Sequence, residues 1–271
     1  RFDTIIKVSD FVKRYKKQVA VDGVDLEVRR GEIYGLIGPD GSGKSSLMKA
    51  MAGVLTYDEG TVEVFGTLVD SERAAERVKQ RIGFLPQGLG LNLYPDLSVE
   101  ENIDFFARLR LVPEQELAQR KARLLAMTRL DKFRDRAMKN LSGGMKQKLG
   151  LICTLIHEPE LAILDEPTTG IDPVSRREFW AILAELLQEK KWSEVNVYDV
   201  AVLELSQPRA GIPFELEPLL SDAGEKLTAA GFGAESFDLL EGRRSGEPQL
   251  KTARLEIREV QLSGAIIVSQ S

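Results

Sequence analysis

The chain has 271 residues and a formal net charge of -5 at pH 7; this acidic balance offers no general attraction for a nucleic-acid backbone, so we expect no nucleic-acid partner. One cysteine and one histidine exclude an internal disulfide and any metal site that needs several such ligands from this chain. No apolar run reaches the roughly 18 residues of a membrane-spanning helix, and no N-terminal signal pattern is present.

The first 191 residues show sharply separated strand and helix patterns. Apolar alternation and short apolar runs predict strands over residues 4–9, 20–30, 33–38, 60–65, 81–86 and 161–164. Helical composition and periodicity predict helices over residues 45–52, 98–110, 113–130, 145–155 and 174–190. The second helix opens with the capping-box pattern from Ser98 to Glu101. Strands that alternate with helices in this way predict an α/β core with a parallel sheet.

Residues 192–271 have a vaguer pattern that is rich in Glu, Gly and Ser, and we place a boundary near residue 191. Composition favours a short helix over residues 221–230, and alternation favours a strand over residues 253–258. Residues 266–268 fit a closing strand and a membrane contact equally well.

One segment carries a complete phosphate-binding motif. Residues 38–45 read Gly-Pro-Asp-Gly-Ser-Gly-Lys-Ser and fit G-x-x-x-x-G-K-[ST] without a gap, between a predicted strand and a predicted helix. The glycines let backbone N–H groups approach phosphate oxygens, and the helix start adds its positive dipole end. Lys44 is placed to reach the β- and γ-phosphates, and the Ser45 hydroxyl is a ligand for Mg²⁺. The candidate nucleotide-binding residues of this segment are Gly38, Pro39, Asp40, Gly41, Ser42, Gly43, Lys44, Ser45 and Ser46.

The strand predicted over residues 161–164 ends in two carboxylates. Asp165 is placed to hold the metal directly or through water, and Glu166 to polarise a water for in-line attack on the γ-phosphate. Acidic strand ends are also common loop caps, so the pattern is informative because it lies downstream of a phosphate loop. Pro167 then ends the strand.

Four further motifs resemble those of the ATP-binding cassette family. Residues 141–147, Leu-Ser-Gly-Gly-Met-Lys-Gln, resemble its signature motif. Gln87 resembles its Q-loop glutamine, Tyr15 its aromatic platform for adenine, and the segment 170–173 its D-loop. Together with the phosphate loop and the acidic strand end, these motifs follow the family's order and span residues 15–173.

The resemblance implies a fold and a division of the chain. The fold is a P-loop NTPase core with a parallel sheet, an N-terminal antiparallel β subdomain and an inserted helical subdomain at about residues 88–155. Residues 1–191 would form the ATPase domain. Residues 192–271 would be the end of the ATPase core, a small C-terminal region of unknown role, or both.

The resemblance also implies ATP and Mg²⁺ as cofactors and assigns roles to residues. Glu166, Lys44 and Gln87 would be catalytic, and Gln87 would join Ser45 and Asp165 as a metal ligand. A polar residue capping a strand is the simpler alternative for Gln87. Tyr15 would stack on adenine, with an ordinary half-exposed strand tyrosine as the alternative.

The signature segment adds a second anion site. Ser142, Gly143 and Gly144 precede a predicted helix, whose free N–H groups suit a phosphate. In the family, two cassettes pair head to tail and sandwich ATP between the phosphate loop of one and the signature of the other. Asp172 would act at that interface, with a role as helix N-cap before Pro173 as the alternative.

The sequence departs from the family pattern at one point. A switch histidine normally follows an apolar strand beyond the catalytic glutamate, and here no histidine occurs after His157. The expected strand is residues 200–205, and neither Asp199 nor Gln207 is a convincing substitute. A degenerate switch, a divergent C-terminal module and residues missing from the chain are all open. The turnover rate is in question, whereas nucleotide binding is not.

These observations predict a nucleotide-binding subunit that powers a membrane transporter, with export as the expected direction. Its partners would be an integral membrane permease and a second cassette, identical or different, at the cytoplasmic face of the membrane. Leu89, Leu91, Leu93 and Tyr94 form an apolar stretch that fits a docking surface for the permease or ordinary core packing. The alternative is a soluble cassette ATPase, or an ATP-dependent regulatory or scaffold subunit with weak turnover.

Overall fold

The computed structural model describes residues 4–30, 33–38, 40–189, 227–231, 236–237, 244–245, 251–255 and 264–268. Pro39 of the phosphate motif lies outside these ranges. So does the strand expected at residues 200–205, together with Asp199 and Gln207. Within the described ranges, no helix is both long enough and apolar enough to cross a membrane.

The described residues form twelve strands and six α-helices. The strands are β1 (Thr4–Tyr15), β2 (Gln18–Arg29), β3 (Ile33–Ile37), β4 (Glu59–Val64), β5 (Thr67–Leu68), β6 (Ile82–Leu85), β7 (Leu161–Asp165), β8 (Leu227–Gly231), β9 (Ser236–Phe237), β10 (Arg244–Ser245), β11 (Lys251–Leu255) and β12 (Gly264–Val268). The helices are α1 (Lys44–Met51), α2 (Glu72–Lys79), α3 (Val99–Leu109), α4 (Glu114–Thr128), α5 (Gly143–Leu155) and α6 (Pro173–Glu189), with 3₁₀ turns at Asp131–Phe133 and Met138–Asn140.

An antiparallel sheet of four strands, in the order β2-β1-β4-β5, occupies the N-terminal part. Along β2, Val24, Leu26 and Val28 are buried and the residues between them are exposed, as expected for a sheet with one face on a core. This is the antiparallel β subdomain that the family resemblance implies.

A second sheet of six strands, in the order β11-β8-β3-β12-β7-β6, carries the two sequence motifs that bear the chemistry. The pairs β3–β8 and β6–β7 are parallel, as predicted, whereas β12 runs antiparallel to both β3 and β7. Gly264 of β12 pairs with Leu36 on one side and with Asp165 on the other. The ends of β3 and β7 therefore lie at the same edge of the sheet.

The helices between residues 98 and 155 pack around an apolar cluster that also includes residues of β6, β7 and α6. Ser98 and Glu101 form the predicted capping box at the start of α3. Ile103 of α3, Leu125 of α4 and Leu149 of α5 are buried together in one apolar cluster. The helical insertion that the family resemblance implies is present in this part of the chain.

The prediction of a helix over residues 221–230 is wrong in its described part, because Leu227–Gly231 is strand β8. Hydrogen bonding to β3 and β11 on its two sides explains this, since neighbouring strands override a weak local helix preference. The predicted strand at residues 253–258 corresponds to β11, and residues 266–268 belong to β12.

Candidate functional site

The phosphate loop joins the end of β3 to the start of α1. Gly43 has a φ of 93°, and a side chain there would contact Val21 and lie 2.5 Å from the carbonyl oxygen of Ala20. Only glycine fits this close approach of the loop to β2. As the N-cap of α1, Gly43 gives no side-chain hydrogen bond to the first turn. The start of α1 therefore keeps N–H donors for an anionic ligand.

Lys44 is buried beside this loop. Its side chain is 3% exposed, and Nζ donates a hydrogen bond to the carbonyl oxygen of Gly38 at 2.7 Å. Burial lowers the pKa of Lys44, and the charges of Glu166, Asp40 and Asp165 oppose that shift. The predicted phosphate-binding cation thus lies among carboxylates on the loop it is expected to serve.

Ser45 and Asp165 meet directly, although they are far apart in the sequence. The Ser45 hydroxyl donates to Asp165 Oδ1 at 2.8 Å. Asp165 is fully buried, and burial raises its pKa against the effects of Ser45, Lys49 and Lys44. Its Oδ2 is buried and accepts no hydrogen bond from the residues that the structure describes. A hydroxyl oxygen beside a carboxylate oxygen without a partner suits Mg²⁺, which takes oxygen ligands.

Glu166 lies next to this pair and has two polar neighbours. Gln87 Nε2 donates to Glu166 Oε2 at 2.5 Å, and Thr169 Oγ1 donates to the same oxygen at 3.1 Å. Burial raises the pKa of Glu166, while Thr169 and the charge of Lys44 lower it. The backbone of Glu166 has a φ of 44°, a left-handed conformation that is uncommon for residues other than glycine. Gln87 and the predicted catalytic carboxylate thus share one hydrogen bond.

Tyr15 also reaches the phosphate-loop helix. Its hydroxyl lies 3.1 Å from the Ser46 Oγ, within hydrogen-bond distance. The side chain is 47% exposed, so part of the aromatic surface is accessible. This places the predicted adenine platform at the start of α1.

The signature residues form the start of α5. The hydroxyl of Ser142 is the N-cap and accepts a hydrogen bond from the Met145 N–H at 3.3 Å. Gly144 packs so tightly against α6 that an added Cβ would lie 2.6 Å from the Cβ of Ser175. Asp172 caps α6 by accepting hydrogen bonds from the backbone N–H groups of Val174 and Ser175. The capping alternative for Asp172 therefore has direct support, and its role at an interface stays a prediction.

The predicted site residues thus fall into two groups. The first contains the described residues of the phosphate loop and the start of α1 (38 and 40–46) together with Tyr15, Gln87, Asp165 and Glu166, and contacts and charge join its parts. The second contains the starts of α5 and α6. Leu89 lies beside the second group, since a Cβ added to Gly143 would be 3.3 Å from its Cδ1 and one added to Gly170 would be 3.7 Å from it.

Thr169 and Leu89 were not among the predicted site residues. Thr169 follows Glu166 within the same loop, so its nearness in sequence was an available signal. No local pattern indicates that Leu89 lies beside Gly143 and Gly170, which belong to distant segments.

A phosphate loop whose serine bonds the acidic end of another strand in the same sheet defines a P-loop nucleoside triphosphatase. A sequence model of one family, described as "ABC transporter", matches residues 21–169. The chain therefore belongs to the ABC (ATP-binding cassette) transporter family, and it contains an ABC ATPase domain.

Individual relatives agree with this assignment. A probable multidrug ABC transporter ATP-binding protein of Escherichia coli is 43% identical over 190 residues, which cover 69% of this chain and 32% of that protein. A Nod factor export ATP-binding protein I of Ralstonia nicotianae is 37% identical over 187 residues, which cover 69% of this chain and 57% of that protein. The chain is thus homologous to ATP-binding subunits of exporters, and it spans about a third to just over half of their length.

A solved structure, described as a dimeric bacterial ABC transporter cassette, matches the fold. It is 26% identical with a TM-score of 0.61, and the match covers 68% of this chain and 84% of that one. The predicted fold class is therefore confirmed.

Proposed function

We propose that this chain binds and hydrolyses MgATP as the nucleotide-binding subunit of a membrane transporter, with export as its direction. The observation that carries the proposal is the hydrogen bond from Ser45 of the phosphate loop to Asp165 of the acidic strand end. It supports the proposal because one bound nucleotide would reach both the phosphate loop and the carboxylates. The chain's similarity to ATP-binding proteins of a multidrug transporter and of a Nod factor exporter supports the direction.

Most residues of the first group have a proposed task. Lys44 and the first-turn amides of α1 would hold the β- and γ-phosphates, and Tyr15 would support the adenine. Ser45, Asp165 and Gln87 are the proposed ligands of Mg²⁺, which would neutralise charge on the phosphates when bound.

Glu166 is proposed to accept a proton from the attacking water. Its carboxylate is next to Asp165 in the chain and already accepts hydrogen bonds from Gln87 and Thr169. A bound γ-phosphate that draws Gln87 away would free this oxygen for the water. Gln87 would thereby link the presence of the γ-phosphate to the state of Glu166.

The signature residues support a proposed head-to-tail dimer. Ser142, Gly143 and Gly144 lie at a helix N-terminus, which suits a phosphate group. A related solved cassette is dimeric by its description. The second cassette would be another copy of this chain or a different one, and each nucleotide would lie between a phosphate loop and a partner's signature.

An exposed apolar surface supports a membrane permease as the other partner. Leu89, Leu91, Tyr94 and Phe105 are 37%, 80%, 45% and 37% exposed, and the rings of Tyr94 and Phe105 are 4.5 Å apart. Leu93, predicted with this stretch, is instead buried at 6% exposed and belongs to the helical core. The subunit would act peripherally, at the cytoplasmic face of the membrane.

We also propose residues 1–191 as the ATPase domain, with a helical subdomain at about residues 88–155.

Replacing Glu166 with Gln tests the proposed activity. We expect Glu166→Gln to lower steady-state phosphate release by about 100-fold or more while ATP still binds, because only the proton acceptor is removed. The exposed Glu63→Gln is the matched control and should keep the wild-type rate. If the wild-type rate is already negligible and Glu166→Gln leaves it unchanged, a non-hydrolysing scaffold is the better description.

A further inference from the structure

Lys13 of β1 is buried, although lysine residues in proteins are mostly exposed. The residue is 8% exposed, and its Nζ lies 3.3 Å from Asp58 Oδ2. The same Nζ lies 5.3 Å from the centroid of the Tyr15 ring. An ammonium group at that distance from an aromatic ring is attracted to its face. Lys13 thus bridges a carboxylate and the tyrosine at the phosphate loop.

Asp58 is itself held in place. Its carboxylate accepts a hydrogen bond from the Arg14 backbone N–H at 2.6 Å, and its own N–H donates to the carbonyl oxygen of Val12 at 2.9 Å. These two bonds fasten the residue in front of β4 to the end of β1. Hydrogen bonding, first that from Arg14, lowers the pKa of Asp58, so the carboxylate is charged at neutral pH. A fixed anion therefore holds the Lys13 ammonium group.

The Tyr15 ring is consequently held at two points. Lys13 lies over the ring, and the hydroxyl at the opposite end of the side chain contacts Ser46 of α1. A cation over a ring occupies a single face of it, and the side chain remains 47% exposed. The ring is thus oriented relative to the phosphate loop before any ligand arrives.

We infer that Lys13, fixed by Asp58, is a positioning residue that holds the Tyr15 ring in the orientation that stacks on the base of the nucleotide. Lys13 and Asp58 thereby strengthen the binding of the nucleotide base and do not affect the contacts to the phosphates. This inference rests on the proposed function of Tyr15 as the adenine platform. A purely structural Lys13–Asp58 pair would tie β1 to the segment before β4 and would affect all ligands alike.

The test compares a ligand that has a base with one that has none. The dissociation constants of ATP and of inorganic tripolyphosphate, each with Mg²⁺, are measured by calorimetry for the whole chain. We expect Lys13→Met to weaken ATP about three- to tenfold, on the scale of a cation–π contact, and to leave tripolyphosphate unchanged. Lys13→Arg should restore ATP affinity because it keeps a cation for both Asp58 and the ring. Lys7→Met, on an exposed position of the same strand, is the matched control.

Tyr15→Ala separates the inference from the proposed function. On this background, Lys13→Met should cause no further loss of ATP affinity, since the ring through which it acts is gone. If Tyr15→Ala weakens ATP alone but Lys13→Met does not, the role of Lys13 is wrong and the platform stands. If Lys13→Met weakens both ligands equally, the pair is only structural. If Tyr15→Ala leaves the ratio of the two constants unchanged, the platform is wrong and the inference is overturned with it.

Discussion

At the scale of single residues, the Asp165 carboxylate suits the proposed Mg²⁺ but is unfavourable for the stability of the fold without ligand. It is fully buried, and burial raises its pKa even though Ser45, Lys49 and Lys44 favour the charged form. The folded chain therefore binds a proton at Asp165 more readily than the unfolded chain does. Stability falls as the pH rises through the range between the two pKa values, because the charged form is the less favourable one in the fold. The Mg²⁺ proposed at this site would offset the unfavourable burial of the charge.

We therefore expect Asp165→Asn to stabilise the protein without ligand. In urea unfolding at pH 7 with EDTA, its free energy of unfolding should rise by about 1 kcal/mol, the scale of one altered buried polar group. The difference should shrink as the pH falls and the wild-type carboxyl becomes protonated. The thermal stabilisation by MgATP should be lost in the same variant.

The exposed Asp70→Asn is the control for that experiment and should change neither quantity. Reduced stability of Asp165→Asn in EDTA would contradict the prediction, because it would show that the carboxylate stabilises the unliganded fold.

The chemical identity of the site residues could be predicted from the sequence, but their conformation could not. Lys44, Ser45 and Asp165 belong to motifs whose residue types follow from phosphate and metal chemistry. The left-handed backbone of Glu166 has no such signal. Surrounding structure has to maintain such a conformation, and for Glu166 it includes contacts from Gln87 and Thr169.

At the scale of elements, the packing of α5 against α6 positions the signature residues. We expect Gly144→Ala to destabilise the protein by about 1–3 kcal/mol in urea unfolding, because the added methyl group would overlap Ser175. Ser175→Gly should relieve the overlap, so the double variant should unfold like Ser175→Gly alone.

Gly150→Ala is the matched control on the same helix. Its added Cβ would lie 3.1 Å from Leu85 Cδ1, which is the movable end of a side chain. Alanine also has a higher helix propensity than glycine. We expect a much smaller loss of stability, or a gain. If both alanine substitutions change the free energy of unfolding equally, the contact with Ser175 is not the cause of the destabilisation.

Elements with local signals were predictable, and the environment of single side chains was not. The capping box of α3 was predicted because Ser98 and Glu101 lie within one turn. Leu93 was grouped with the exposed leucines around it and is buried instead. The loop beside it is fixed by the buried Asn102, which accepts a hydrogen bond from the Tyr94 N–H and whose Nδ2 lies within hydrogen-bond distance of three carbonyl oxygens. Such a loop anchor depends on tertiary contacts that hydropathy does not encode.

At the scale of the whole molecule, the site depends on the order of strands that are distant in sequence. Asp165 reaches Ser45 because β12 pairs with both β3 and β7 and aligns their ends. The sequence predicts the two motifs and the alternation of strands and helices, but not the antiparallel strand between them. The alternation of strands and helices predicts the relative direction of two strands only where a helix connects them, which makes them parallel.

The proposed dimer leads to a prediction about mixed subunits. Lys44→Ala removes the cation proposed to bind phosphate, whereas Ser142→Asp keeps a good N-cap for α5 and adds a negative charge where a partner's phosphate would lie. Each variant alone should have almost no ATPase activity. In a head-to-tail pair of the two variants, one composite site has both substitutions and the other has neither.

An equal mixture, incubated without nucleotide so that subunits exchange, should thus recover about a quarter of the wild-type rate, because roughly half of the dimers are mixed and have one intact site. Phosphate release before and after mixing measures this. A mixture no more active than its components would contradict pairing between two copies, because a site completed within one chain or by a different cassette gains nothing from exchange.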